Sequence, residues 1–506
     1  MGKYSIALWF IRGGTAKYKN EKVLMGVCTV GIFILSMLFF TKIHPIVIAD
    51  TDDWYFAYKY RSALPLWEGW NPIRVFPEVF MPIVSMFGRF FINIFIKEYF
   101  LSLTYSYALA VSFVIAIFIY SLFGYLRGQN IDIKTSVILI LFFVICHFWI
   151  FRTSIKSNEY MLGSIDASTY FFYVIPNLLN CIAVLLMQKL VDSKTLDTGL
   201  CTKKSLYILL IYFCIFSNIW SSMILASYIG TTLLKDILTA IAQKVKAKDF
   251  IKKQCLQIGI IIMWLASQIF ELNGGRAKAI KSESYIETLQ TTLKVAKKVI
   301  IRLNNKFLMS MLIIVIIGIT LTVLKKQWKL LRNIQSAGIC CIIMIIYLVL
   351  SCAMAGSKYL ERTDVIYGCF FYGMIIILLC LYQIMTTVFP ISSIMPLLLV
   401  IVALECNTDE RTFRESNVQQ LSPQICMDID NDIMKQFLDA QDRGEAEIIL
   451  YVPFFEESSD NWPLAVYATE TISEHFYKMG VTYYKIRIKQ IVPLVEKSKE
   501  LNVDKF

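Results

Sequence analysis

The sequence predicts an all-α polytopic membrane protein that ends in a small α/β or α+β unit. Three observations carry this. Of 506 residues, 57% are hydrophobic and only 17% are charged, against about 25% charged in an ordinary soluble domain. Uncharged runs of roughly 16–25 residues recur along the chain, the length a helix needs to cross a bilayer. Past residue 406 the composition turns soluble. With a mean hydropathy of +0.59, neither a soluble globular enzyme nor a disordered chain describes the whole molecule.

Residues 1–22 are polar and basic, with Lys3, Arg12, Lys17, Lys19 and Lys22. The apolar run 23–41 follows with no small-residue cleavage site, which reads as a signal anchor with a cytoplasmic N-terminal segment. Further spans are expected at about 101–126, 136–151, 168–188, 256–272, 307–324, 334–355, 365–386 and 391–405. The stretch 205–234 has no charged residue and is too long for one span. Ser217, Asn218, Ser221 and Ser222 lie in its middle, so two short helices meeting there are expected. The count is about eleven spans within a transmembrane region 23–406.

Loop charge sets the orientation. The net charge is +12, and much of it sits in short loops between apolar runs, which is a membrane pattern and not a nucleic-acid footprint. Arg127 with Lys134, Lys189 with Lys194, Lys203 and Lys204, the run Lys235 to Lys253, and Lys325 to Arg332 all fall on one side only if 205–234 crosses twice. That side is then cytoplasmic. Loops 42–100 and 273–306 and the tail 407–506 are placed outside the cell membrane. The tail reads as helix near 428–442, strand 446–453, helix near 463–478 and strand 481–489. Most of the 13 Cys sit in apolar runs, where they behave as small hydrophobes. No Cys/His spacing suggests a metal site, and the three His (His44, His147, His475) are far apart in sequence. The sequence implies no cofactor and leaves a divalent cation open.

Four places have residues suited to chemistry at the outer surface. Just past the first span lies Ala49-Asp50-Thr51-Asp52-Asp53-Trp54. An Asp here can take a proton from a sugar hydroxyl or simply cap the helix that follows; Asp53 is favoured over Asp52 as the base because it abuts Trp54. The same loop carries Trp70 to Glu78, including Arg74, followed by an amphipathic stretch 79–96 that suits a helix lying in the interface. Arg74 can bind phosphate or snorkel to headgroups. The third place is Phe270 to Ala277, with Glu271, Gly274, Gly275 and Arg276; Arg276 is a partner for Glu271 at the membrane edge, and a plain turn is the simpler reading. The fourth is Gly356 to Arg362, where Lys358 and Arg362 share a helix face and suit a phosphate leaving group. An exposed pairing of Arg362 with Glu361 or Asp364 is the competing reading. A basic helix near 284–302 is expected to lie on the membrane surface.

This layout resembles the GT-C superfamily of integral-membrane glycosyltransferases, and within it bacterial GtrII-like and related families that decorate cell-wall and surface polysaccharides. Asp52-Asp53-Trp54 is similar to their Asp-Asp-aromatic motif. Asn71 to Glu78 resembles an Asn-Gly-Arg segment, with Pro72-Ile73 in place of the Gly. Glu271 to Ala277 resembles a Glu-x-x-Gly-x-Arg element, and Lys358 to Arg362 sits where a phosphate-contacting Arg is expected. The resemblance covers roughly 1–405 in layout. It implies transfer of a sugar from a polyprenyl-phosphate-linked donor to a cell-surface glycan or glycopolymer acceptor, with Asp53 or Asp52 as general base and Arg74, Glu78, Glu271, Arg276, Lys358 and Arg362 binding substrate. A lipid-linked oligosaccharide transporter or flippase, and a polysaccharide polymerase or ligase, are the alternatives. Transporters usually carry ionisable residues within their spans; here those residues gather at the membrane edge.

Overall fold

The computed structural model describes residues 16–60, 73–148, 150–152, 158–164, 166–193, 201–272, 285–387, 421–454 and 468–503. It is predominantly helical. Among the described residues nine helices are long and apolar enough to cross a membrane: Glu21–Ile43, Val75–Ile96, Tyr99–Gly128, Ala167–Gln188, Ile219–Ala242, Ala247–Glu271, Asn305–Leu324, Trp328–Ala355 and Tyr367–Thr387. This part of the chain is therefore an all-α, multi-pass arrangement suited to a lipid bilayer, where only structures that bond their own backbone persist.

Burial separates the lipid-facing helices from the core. The apolar window of Ala167–Gln188 is 83% buried, that of Glu21–Ile43 only 6%. Val27 and Leu35 on the latter are exposed, which in water would be an aggregation face and in lipid is solvation. Tyr99–Gly128 packs against Ile175–Ser193 and Ala16–Leu38. Tyr367–Thr387 packs against Asn305–Leu324, where Gly318 lies so close to Cys380 that any Cβ there would collide. Small residues allow this approach between membrane helices.

The break expected within 205–234 falls between Cys201–Ile215 and Ile219–Ala242. Asn218 starts the second helix, its side chain accepting from the Trp220 N–H at 2.9 Å. The helix expected over 136–151 is shorter, Ile133–Cys146. Its 14 residues rise about 21 Å, because the chain turns at His147 and Phe148 and then pairs Phe151 with Glu159. The basic helix expected near 284–302 is Tyr285–Arg302, with Thr288, Thr292 and Val295 on its buried face. The span expected over 391–405 lies outside the described residues.

Val75–Ile96 is longer and more apolar than the interfacial helix expected over 79–96. A wide π turn at Gly88–Ile92 carries the helix on. Arg89 leaves the lipid face to donate to the carbonyls of Met479 and Gly480, at 2.9 and 2.7 Å. Both ends of this helix lie at one end of the bundle. Arg74, before it, sits over Phe172, and after it the helix Tyr99–Gly128 begins against His475.

The described tail contains helix Pro423–Asp442, strand Glu447–Pro453, helix Ala468–Lys478, strand Arg487–Leu494 and helix Val495–Glu500. The strands are parallel, with Tyr451 opposite Val492, so the helix between them is a crossover. The second strand begins six residues later than the sequence reading placed it. Gly480, at φ +64°, ends the helix, and residues 481–486 make the return. Helix Ala468–Lys478 packs on Thr51–Tyr58. Its His475 is fully buried, with Nδ1 3.0 Å from the Trp54 carbonyl and Nε2 2.7 Å from the Tyr99 hydroxyl. A carbonyl only accepts, so Nδ1 carries the proton and Nε2 accepts from Tyr99.

Candidate functional site at the Asp53 end of the bundle

The first acidic turn folds as a capping box. Asp50 is the N-cap of helix Thr51–Tyr58, accepting from the Asp52 N–H at 3.2 Å, and Asp53 reaches back from the third position. Asp53 Oδ2 accepts from the N–H groups of Ala49 (2.8 Å) and Asp50 (3.1 Å); Oδ1 accepts from the Ser168 N–H (2.6 Å). The side chain is fully buried. Burial, then Asp166 and Asp50, push its carboxyl well above the usual range despite those bonds. Asp53, favoured from the sequence as the base, is thus enclosed, and both its oxygens hold backbone. Asp52 points outward on the same helix. Asp50 combines partial exposure with a carboxyl pushed up to about 6, first by burial and next by Asp166.

The partner of this turn is Asp166–Thr169, which the sequence reading did not single out. Asp166 caps its own helix: Oδ2 accepts from Thr169 N–H (2.9 Å) and Ser168 Oγ (3.0 Å), and Oδ1 from Ser164 Oγ. The Ala167 N–H bonds the Val47 carbonyl at 3.1 Å. The Ser164-x-Asp166-x-Ser168-Thr169 pattern, entering an apolar run, is a helix-start signal; read that way, it would have pointed here.

Arg362 arrives from the other side. It grips Asp364 with two parallel bonds, Nε to Oδ1 at 3.0 Å and Nη2 to Oδ2 at 2.6 Å, and Nη2 also reaches Thr169 Oγ1 at 3.3 Å. Its guanidinium lies 4.2 Å from the Tyr173 ring centre, and Tyr173 stacks on Trp220. Of the two partners in the competing reading, Glu361 and Asp364, the structure thus has Asp364, in a half-buried and not an exposed pair; the Glu361 carbonyl accepts from Arg302 Nη1 at 2.9 Å. Among the described residues Nη1 of Arg362 has no protein partner, so a planar donor edge is left for a ligand. Arg74, in the left-handed region at φ 65°, sits 5.9 Å from the Phe172 ring.

Segment 166–173 therefore gathers Asp50, Asp53, Arg362 and Arg74. Glu78 lies one turn beyond Arg74, its N–H bonding the Arg74 carbonyl at 3.1 Å. Lys358 is exposed on the short turn Ser357–Glu361. Glu271 is elsewhere, at the end of Ala247–Leu272 and near Tyr347. Arg276, like Asn71 and Pro72, lies outside the described residues.

A further carboxyl lies behind the site. Asp430, from helix Pro423–Asp442, is fully buried, and neither oxygen meets a hydrogen-bond partner among the described residues. Burial, and then Asp53, push its carboxyl well above the usual range. Among the described residues no group of three or more His, Cys, Asp or Glu is placed to hold a metal ion. Comparison with protein families, curated proteins and solved structures finds no match to this chain.

Proposed function

We propose that this protein is a GT-C-like membrane glycosyltransferase that moves a sugar from a polyprenyl-phosphate carrier to a glycan or glycopolymer acceptor on the outer face of the cell membrane. The observation that supports this best is that one short segment adjoins both a partly exposed carboxyl, Asp50, which feels Asp166, and Arg362, which bonds Thr169 and lies on Tyr173. In this reading Asp50 accepts the proton of the acceptor hydroxyl, and Asp52 is the second candidate. The hydroxyl oxygen attacks the anomeric carbon, the bond from that carbon to the phosphate oxygen breaks, and the electron pair leaves on the polyprenyl phosphate. Arg362 Nη1 stabilises that charge, with Arg74, which lies over Phe172, as the second candidate cation; fixed donors aimed at developing charge need little reorganisation. Asp53 and Asp166 hold the two turns in register. Lys358, Glu78, Glu271 and, outside the described residues, Arg276 are the further substrate-binding candidates.

The topology in this reading has the N-terminus in the cytoplasm and eleven crossings. Ten include the two short helices Ile133–Cys146 and Ser205–Ile215, the eleventh is the span expected from the sequence over 391–405, outside the described residues, and Val75–Ile96 lies across one end. The tail is then an extracytoplasmic domain docked beside the site. The test is donor turnover at saturating acceptor for Arg362→Ala against Asp364→Ala, which breaks the same ion pair from its other side. A large loss for Arg362→Ala alone is expected. Equal, small effects would remove the phosphate role.

A further inference from the structure

Helix Tyr285–Arg302 borders a cavity of about 320 Å3. Ala296 and Ile300 of this helix form one wall, Ile345 and Val349 of Trp328–Ala355 a second, and Leu360 and Phe370 a third. Every described side chain that lines the cavity is apolar. Ile345, Val349 and Phe370 belong to helices long enough to cross the membrane, so the cavity lies at bilayer level. Its size is near the lower limit of ligand sites, roughly 300–1,000 Å3. An apolar space of this kind offers no hydrogen bond to water, sugar or phosphate; in a bilayer, a hydrocarbon chain fills it.

The exposed side of the same helix supplies the second observation. Ile286, Leu293, Ile300 and Ile301 are exposed. Lys297 stands in this stripe, four residues after Leu293 and three before Ile300, so the three share a face. Ile300 belongs to both the stripe and the cavity wall, which makes the two apolar surfaces continuous. A lysine set in such a stripe lays its stem along hydrocarbon and lifts its ammonium to the headgroups. Lys298, also exposed, is about half a turn away from Ala296 and Ile300.

We propose that this cavity holds one acyl chain of an anionic bilayer phospholipid whose phosphate group lies at Lys297. The site does not depend on the sugar-transfer reading, but it adjoins that region of the chain. The lipid chain would rest against Leu360, beside Glu361, whose carbonyl accepts from Arg302 of the same helix at 2.9 Å.

The experiment uses the full chain, purified in uncharged detergent and stripped of lipid. Native mass spectrometry titrates in phosphatidylglycerol and, separately, phosphatidylcholine of the same chain length. Ala296→Phe fills the cavity, and Val349→Phe does so from another wall in case the first fails to fold. Ile313→Phe, at an exposed position of Asn305–Leu324, is the control for added bulk. Lys297→Gln removes the headgroup cation, and Lys298→Gln is its control. We expect one saturable phosphatidylglycerol, bound about fivefold more tightly than phosphatidylcholine. A cavity variant should weaken it about tenfold or more, and Ile313→Phe should leave it unchanged. Lys297→Gln should erase the preference for phosphatidylglycerol, and Lys298→Gln should keep it. No saturable lipid, or binding retained in a folded cavity variant, overturns the proposal. So does a preference that is absent from the wild type, survives Lys297→Gln, or is lost equally in Lys298→Gln.

Discussion

Asp50→Asn separates chemistry from structure at the candidate site. Asparagine caps helices about as well as aspartate, and the cap bond from Asp52 N–H goes to an oxygen that asparagine keeps. The variant should fold and insert normally, while losing the only titrating form that can accept a proton. With the carboxyl at about 6, roughly a tenth is ionised at pH 5 and roughly nine tenths at pH 7. Turnover of the wild type should therefore rise about tenfold across that interval, since a general base works in its ionised form. Asp50→Asn should remove this acid limb and lower the rate by about 10²–10⁴. The assay is release of polyprenyl phosphate from a polyprenyl-phosphate sugar between pH 4.5 and 8, on protein checked for folding by its melting temperature. Turnover within a few-fold of wild type, with the same acid limb, would refute Asp50 as the base and pass the role to Asp52.

Asp53→Asn is expected to fail differently. Both oxygens of Asp53 accept backbone N–H groups, so an amide there turns one acceptor into a donor; the loss is about 1–3 kcal/mol of stability, read as a lower melting temperature before any rate is measured. Arg362→Lys should keep the charge yet lose most activity, because the grip on Asp364 and the free Nη1 edge both need the guanidinium plane; near-normal turnover would show that a point charge suffices. His475 is held neutral, its ring lowered to about 4 chiefly by burial. Its folded value lies below its unfolded one, so docking of the tail is stable above pH 6.5 and weakens as pH falls towards 4. At about 1.4 kcal/mol per unit the full effect is roughly 3 kcal/mol. Hydrogen exchange of 468–478 should speed up at pH 5 relative to pH 7 after correction for intrinsic rates, and His475→Asn should abolish that difference.

The helices were legible because lipid solvation needs long apolar runs, and the break at Ser217-Asn218 because polar side chains interrupt such a run. Asp50 to Trp54 was legible as an acidic turn, but the roles of its carboxylates were not. Which Asp is enclosed depends on Ser168, 115 residues away in sequence, and no local pattern encodes that contact. Asp166 and Thr169 were hidden for a related reason: a cap at the mouth of a span has the same sequence whether or not an arginine from residue 362 reaches it. Arg89 suggested an interfacial helix because its partners, the carbonyls of Met479 and Gly480, belong to a separate part of the chain. Strand Arg487–Leu494 was placed early because the turn at Gly480 is followed by residues apolar enough to read as strand.

The central claim is that the Asp53 end performs sugar transfer and not transport. Its most direct test is a proteoliposome experiment with the purified protein, a labelled polyprenyl-phosphate sugar and a glycan acceptor, in which the fate of the label is followed by chromatography. The account predicts acceptor-dependent release of polyprenyl phosphate with the label joined to acceptor, only when donor reaches the leaflet beside Asp50, and lost in Arg362→Ala. Intact labelled donor moving between leaflets with no carrier release would contradict it and identify a flippase.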